Sequence, residues 1–409
     1  MKRVVITGMG VITPFGHGVD ALMNGLASGH NAVRFMEGWD RYEGMRSLVA
    51  APARLGDVSR IPRKQRRSMG RLSLFAVLAA EEALRASGLD IQTVGNDQVG
   101  CVMGSTMGGA EALTETFETM SVNPDLSLLK SMNFFKCVSH TAAMNVAQYF
   151  GLTGIVMATS AACASSLQAV GTGYDLIRLG RQKAVLCGGS EEAHPTVTAS
   201  FDILFATSAG YNDHPELTPR PFDRDRDGLV CGEGAGVLVL EDFDHARQRG
   251  ATILAEVTGY QTGGSGEHVS QSNQEAISRC VRGALAEAGV APEAVDYISA
   301  HATGTVQGDL EEALAIREIF GDRVPVSSLK GHIGHTLGAS GAIELAATLR
   351  MMRDGVIYPT LNLQNEDDKA RGLKYIKQTE KRPVNTILKN CFAFGGINAA
   401  VVCQKVDAS

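Results

Sequence analysis

Residues 154–180 read GIVMATSAACASSLQAVGTGYDLIRLG. The run GIVMATSA is β-like, and a helix-like run starts just after Cys163. A thiol placed there lies at the N-terminus of a helix that begins inside the protein. The unpaired N–H groups and the helix dipole at that end favour a thiolate. Two histidine-bearing segments follow far downstream, SAHATGT with His301 and SSLKGHIGH with His335. A cysteine with two distant histidines points to acyl transfer through a thioester, followed by chemistry on a second bound group.

The strand-then-helix order repeats outward from this elbow. Before it come the strand RVVITGMGVI, a long helix over about 71–87 stopped by Gly88, the strand QVGCVMGST and the helix HTAAMNVAQYF. After it come the strand KAVLCGGSEE and the strand–helix run GAGVLVLEDFDHARQRG. The second half repeats the pattern. It has the strand ATILAEVTGYQT, a helix over about 273–288, the strand and loop VDYISAHATGT, and the helix DLEEALAIREIF. The run VPVSSLKGHIGHTLGASGAIELAATLRMM is strand, loop and helix, and two last strands, LKNCFAFGGI and NAAVVCQKV, flank a glycine bend. Alternating units of this kind predict an α/β protein with buried, largely parallel sheets covered by helices. The boundary falls near Gly250, so that 1–250 carries the cysteine and 251–409 the histidines. No low-complexity linker separates the halves. They are expected to pack together with their strand-end loops around one cleft.

Composition removes several classes. Hydrophobic residues make up 44% and charged residues 20% of 409, which suits a well-packed globular chain. The net charge of -6 argues against a general nucleic-acid surface. The start, MKRVVITGMG, reads as a first strand and not a secretory signal, and no apolar run reaches the ~18 residues of a membrane span. The eight cysteines are scattered without a C-x-x-C pair, so a disulfide framework and a zinc site are not expected, and a reducing cytoplasm fits. GEGAG at 232–236 has G-x-G-x-G spacing and reads as close-packed backbone beside the site floor, not a nucleotide loop.

The segments TGMGVITPFG, the Cys163 elbow, PFDRDRDGLVCGEGAG, SAHATGT, SSLKGHIGHTLGASGAIE and NCFAFGGIN occur in that order along essentially the whole chain. Together they resemble the β-ketoacyl-acyl-carrier-protein synthases, the elongating condensing enzymes of fatty-acid and type II polyketide synthesis. The resemblance implies the thiolase fold, two similar halves in a five-layer α-β-α-β-α sandwich. It implies a tight dimer, either of identical chains or with a homologous chain-length factor. It also implies no intrinsic cofactor, with the acyl chain arriving on the phosphopantetheine arm of an acyl carrier protein. Cys163 matches the nucleophile. His301 and His335 match the two catalytic histidines, whose N–H groups would stabilise an enolate. His332 is the local competitor of His335 and is given a structural or rim role. His140 is read as structural too, and His194, His214, His245 and His268 as peripheral. Lys330 matches a family lysine and Glu344 its acidic partner, together fixing the histidine loop. Thr303 and Thr305 match the threonines that bind the pantetheine amides. Phe394 matches an aromatic gate whose N–H joins that of Cys163 in an oxyanion hole, and Gly395 and Gly396 give that loop its backbone freedom. Arg63, Lys64, Arg66 and Arg67 are either a solvated helix lead-in or a docking surface for the acidic carrier protein.

Rivals separate at single positions. A degradative thiolase would need a second cysteine in the glycine bend, where this chain has Phe394. The initiating type of condensing enzyme uses a Cys-His-Asn set, and here His335 stands at the third place. A chain-length factor lacks the cysteine. Ala302, Gly304, Ala393 and Ile397 depart from the usual loops. With SMNFFKCVSHTAAMNV and FDILFATSAGYND, they resemble a divergent branch that includes aryl-polyene synthases. Housekeeping fatty-acid elongation is the alternative.

Overall fold

The computed structural model describes residues 1–122, 124–267 and 273–406. His268 lies outside the described residues. The first half contains β1 (Val4–Thr13), β2 (Val99–Gly104), β3 (Val156–Thr159), β4 (Ala184–Glu191) and β5 (Gly234–Asp242). Its main helices are α1 (Arg71–Ser87), α2 (Thr141–Phe150) and α3 (Ser165–Arg178). The second half contains β6 (Ala255–Gly264), β7 (Tyr297–Ser299), β8 (Pro325–Ser327), the short β9 (Lys374–Tyr375), β10 (Thr386–Ala393) and β11 (Ile397–Gln404). Its helices are α4 (Gln274–Ala288), α5 (Val306–Phe320) and α6 (Ser340–Asp354).

Helix ends follow local chemistry. Gly88 takes a left-handed conformation after α1, and its N–H reaches the carbonyls of Leu84 and Arg85. Asn273 caps α4 by accepting from the Ala276 N–H, and Gly289 closes it in the left-handed region.

The strand order is β3-β2-β4-β5-β1 in the first half and β8-β7-β10-β11-β6 in the second, with β9 added at the outer edge. The two halves therefore share one topology. They also join, because β1 pairs antiparallel with β6 from Val4↔Val257 to Ile6↔Ala255. The expectation of largely parallel sheets is corrected here. β2, β3 and β4 are parallel, as are β7, β8 and β10, but β4-β5-β1 and β10-β11-β6 are antiparallel. The bend at 394–396 is too short for a crossover and can only return the chain as a hairpin.

Side-chain alternation sorts the strands into layers. On β5, Leu238 and Leu240 join a central apolar cluster with Leu167 and Val170 of α3 and Ile343 and Ala346 of α6. Val237 and Val239 of the same strand face outward onto Phe75 of α1 and Val146 of α2. On β10, Ile387 faces the central cluster and Leu388 faces Ile277 of α4 and Ile316 of α5. The order is α1/α2, sheet, α3/α6, sheet, α4/α5, a five-layer sandwich. Both α3 and α6 lie between two sheets, which is why their residues are apolar or small almost all round. Gly10 permits the close approach of β1 to α1, since a Cβ there would lie 2.1 Å from the Ala79 carbonyl oxygen.

Candidate active site

The twofold repeat puts Cys163 and His335 at equivalent places. Cys163 lies between β3 and α3, and His335 between β8 and α6. Both turns carry a non-glycine residue in the left-handed region, Ala162 at φ 46° and Leu337 at φ 47°. Ser165 holds the first turn. Its hydroxyl accepts from the Ala161 N–H at 2.9 Å and donates to the Ala162 carbonyl at 2.7 Å. The second turn is held by the 230–232 segment. The His335 N–H donates to the Val230 carbonyl at 2.7 Å, and the Gly232 N–H donates to the His335 carbonyl at 2.8 Å. GEGAG is thus packed backbone under the site, as its spacing suggested. A Cβ on Gly234 would lie 2.3 Å from the Ile12 carbonyl oxygen.

His335 Nε2 lies 2.9 Å from Cys163 Sγ. The Leu337 N–H donates to His335 Nδ1 at 3.3 Å. That bond makes Nδ1 the acceptor and leaves the proton on Nε2, so the ring presents a donor to the sulfur. His301 enters from the end of β7. Its ring centroid is 5.2 Å from that of His335, nearly perpendicular. The sulfur and a ring nitrogen from each histidine lie within 4.8 Å of one another. His301 Nδ1 is buried without a partner among the described residues, the kind of atom a bound group satisfies.

Burial sets the protonation states. It drives both imidazoles well below their usual range, and the positive charges of Lys330 and Lys389 push the same way. The same burial pushes the Cys163 thiol up, while Lys330 pulls against it. The expectation of a resting thiolate is corrected on this point. Burial is the largest influence on this sulfur and works against the thiolate that a helix N-terminus favours.

A cavity of about 340 Å³ joins these groups. Cys163, His301, His335, Thr303, Thr305 and Phe394 all line it. The Thr303 hydroxyl donates to Thr305 Oγ1 at 3.1 Å. Phe394 sits at the β10–β11 bend with its ring centroid 5.8 Å from that of Phe201. Gly395 and Gly396 follow it in the left-handed region. Lys330 and Glu344 stand behind the cavity, not in it. Lys330 Nζ donates to Glu344 Oε1 at 2.6 Å and to the His301 carbonyl at 2.5 Å. His332 is buried and its Nε2 lies 3.0 Å from the Pro359 carbonyl oxygen, away from the cavity. His194 and His245 sit at helix starts elsewhere. The basic residues form a one-turn helix, Arg63–Arg66, outside the cavity lining.

Several residues of the site escaped sequence reading. Lys389, in the middle of β10, is fully buried and forms a second ion pair with Glu344. Glu312 of α5 accepts from the N–H groups of His301 at 2.8 Å and Ala302 at 2.7 Å. Asp309, one turn earlier, accepts from the Gly304 N–H at 3.1 Å. Burial pushes both carboxyls up. Glu191 accepts from the Thr106 N–H at 2.7 Å and the Gly338 N–H at 3.0 Å, tying two site loops to the end of β4. A lysine inside the apolar strand TILKNCFA was the legible signal. The carboxylates gave none, because acids in helices are usually solvated.

A cysteine turn from one half and a histidine turn from its repeat, meeting over a central helix layer, define a thiolase-fold condensing enzyme. The chain belongs to the β-ketoacyl synthase family. The N-terminal domain of that family matches residues 1–246 and the C-terminal domain matches 254–364. It is 35% identical over 410 residues to 3-oxoacyl-(acyl-carrier-protein) synthase 1 of Escherichia coli K12, covering 99% of this chain and all of that one. A crystal structure of a β-ketoacyl synthase from Burkholderia phymatum STM815 superposes with a TM-score of 0.96 at 42% identity, covering 99% of this chain and all of that one. A type II polyketide ketosynthase, solved in complex with its acyl carrier protein and bound to a hexaketide, gives a TM-score of 0.91 at 31% identity. It covers 99% of this chain and all of that one.

Proposed function

We propose that the protein elongates an acyl chain by decarboxylative condensation, with Cys163 as the acyl-carrying nucleophile. The observation that carries this reading is the contact of Cys163 Sγ with His335 Nε2 at 2.9 Å in a cavity shared with His301. The substrate is an acyl group on the phosphopantetheine arm of a carrier protein. Thr303 and Thr305 hold the arm through its amides. Sγ attacks the thioester carbonyl, the bond from that carbon to the pantetheine sulfur breaks, and the thiol proton passes to the departing sulfur. The N–H groups of Cys163 and Phe394 hold the tetrahedral oxyanion.

Malonyl-carrier protein enters next. Its carboxylate leaves as CO2, and the electron pair becomes an enolate whose oxygen accepts from His301 and His335. Neutral imidazoles suit this task because they donate without a charge to desolvate. The enolate carbon attacks the acyl-enzyme, the Cys163–acyl bond breaks, and the sulfur takes up a proton from water. The product is two carbons longer.

The departures at Ala302, Gly304, Ala393 and Ile397 favour a specialised polyketide-type pathway, such as aryl-polyene synthesis, over housekeeping elongation. Eight free cysteines suit a cytoplasmic setting. Intact-mass analysis tests the core reading. Acyl-carrier protein should add one acyl group to the wild type and none to Cys163→Ala, and malonyl-carrier protein should then discharge it. An adduct of unchanged yield in Cys163→Ala would reject the nucleophile. Offering saturated and conjugated polyunsaturated acyl groups in the same assay decides the pathway. Extension of saturated chains alone would favour fatty-acid synthesis.

A further inference from the structure

Lys389 is a charge where the fold calls for an apolar side chain. The alternate residues Ile387 and Cys391 of β10 face the central helix layer and belong to its apolar cluster. Lys389 stands between them and is fully buried. Its ammonium pairs with Glu344 and lies 3.4 Å from the Ser299 carbonyl oxygen and 3.3 Å from that of Ala300. Lys330, on the other oxygen of Glu344, takes the next carbonyl, that of His301. Three successive carbonyls at the end of β7 are therefore held by two ammonium groups sharing one carboxylate. Directly behind the two histidines, two ammonium groups thus share the Glu344 carboxylate. Desolvating a second lysine is costly, and a hydrophobic residue would fill the position without that cost.

We infer that Lys389 is a positioning residue of the condensation, fixing the strand end that carries His301 and supplying part of the positive field that keeps His301 and His335 uncharged. The inference rests on the ketosynthase reading above. The groups facing this ammonium are known from each element packed on it. Glu344 comes from α6, Glu312 from α5, Lys330 and His335 from the segment after β8, His301 from the end of β7, and Cys391 from β10 itself. Glu344 is the direct counter-ion. Burial opposes the charge on Lys389, yet Glu344 holds its pKa above the ordinary lysine value, so the site stays cationic. The same charge is among the causes that lower both histidines.

The test is the pH profile of malonyl-carrier-protein decarboxylation. Removing a cation near a histidine raises the histidine pKa, so protonation of His335 Nδ1, which removes the acceptor of the Leu337 N–H and with it the orientation of the ring, begins at higher pH. In the wild type the rate should stay flat from pH 8 to below about 6. In Lys389→Met and Lys389→Gln its acid limb should move up by roughly one pH unit, as expected for the loss of a close charge. Lys389→Arg should keep the wild-type limb even if its rate falls. A uniform loss of rate in the neutral variants with an unmoved acid limb would overturn the inference, since packing damage alone does that. Should neither neutral variant fold, Glu344→Gln makes the same test in reverse. Removing the anion leaves both cations uncompensated and should move the limb to lower pH, and an unmoved limb would again overturn it. A wild type that does not decarboxylate malonyl-carrier protein would instead reject the ketosynthase reading itself.

Discussion

At the scale of the residue, the site works by withholding water. Cys163, His301 and His335 are all at most 6% exposed. Burial pushes both imidazoles toward the neutral form and the thiol away from the thiolate, and the hydrogen bond from the Leu337 N–H fixes which nitrogen of His335 donates. The sign of the pH dependence follows. Protonating Nδ1 of His335 would remove the acceptor of the Leu337 N–H that orients the ring, and a folded-state pKa well below 6.5 means that this happens only as pH falls through that lower value. Decarboxylation by the wild type should therefore show no titration near pH 6.5, which a stopped-time CO2 assay across pH 5–8 would check. A clear half-loss centred on 6.5 would contradict the assignment. Replacing His301 or His335 with Ala should leave acylation of Cys163 detectable by mass. It should cost about a hundredfold or more in decarboxylation, the usual effect of losing one donor to an oxyanion. Near-normal condensation in either variant would reject that histidine's role.

At the scale of the element, short segments aim the chemistry and long ones hold it. The β10–β11 bend carries Phe394 into the cavity beside Phe201, while Gly395 is exposed, with open space where a Cβ would be. A ring on such a bend stands between the cavity and the sheet end, where the resemblance places a gate. Phe394→Ala should thus change which acyl lengths load onto Cys163, or the order of loading, while Cys163 remains reactive. Loading rates across a series of chain lengths measure this, and identical rates in wild type and variant would dismiss the gate. The PFDRDRDG segment has a quieter part. Arg226 donates to the Thr305 carbonyl at 3.2 Å and the Val306 carbonyl at 2.7 Å, so it braces the threonine loop from behind.

At the scale of the whole molecule, one edge is unfinished. β3 ends the strand order of the first half, and its Val156 and Met157 are 43% and 42% exposed. Phe117, Val122, Leu126 and Phe134, from the segment before β3, are all more than 60% exposed too. An open strand edge with apolar side chains is a template for pairing with another chain. The protein is expected to be a dimer, with itself or with a homologous chain, through this face. Light scattering should give twice the mass of 43.3 kDa for the homodimer. Val156→Glu with Phe134→Glu should shift the population to monomers. A wild type that stays monomeric when purified alone and with its homologue would refute the expectation.

The sequence by itself determined the α/β alternation, the helix limits at Gly88 and Gly289, and the residues that meet in the cavity. These depend on local periodicity, caps and ordered motifs, which short stretches carry. It misjudged the strand directions, because a hairpin and a crossover differ in where the chain returns and not in the composition of the strands. It also left out the burial that acts against a Cys163 thiolate. A helix N-terminus is visible in a sequence, but the water removed from around it is not. Lys389, Glu312 and the Leu337 N–H were decided by tertiary structure alone. Lys389 and Glu312 act on residues that the packing of sheets and helices sets beside them, and the Leu337 N–H reaches His335 only because the turn folds back with Leu337 in the left-handed region.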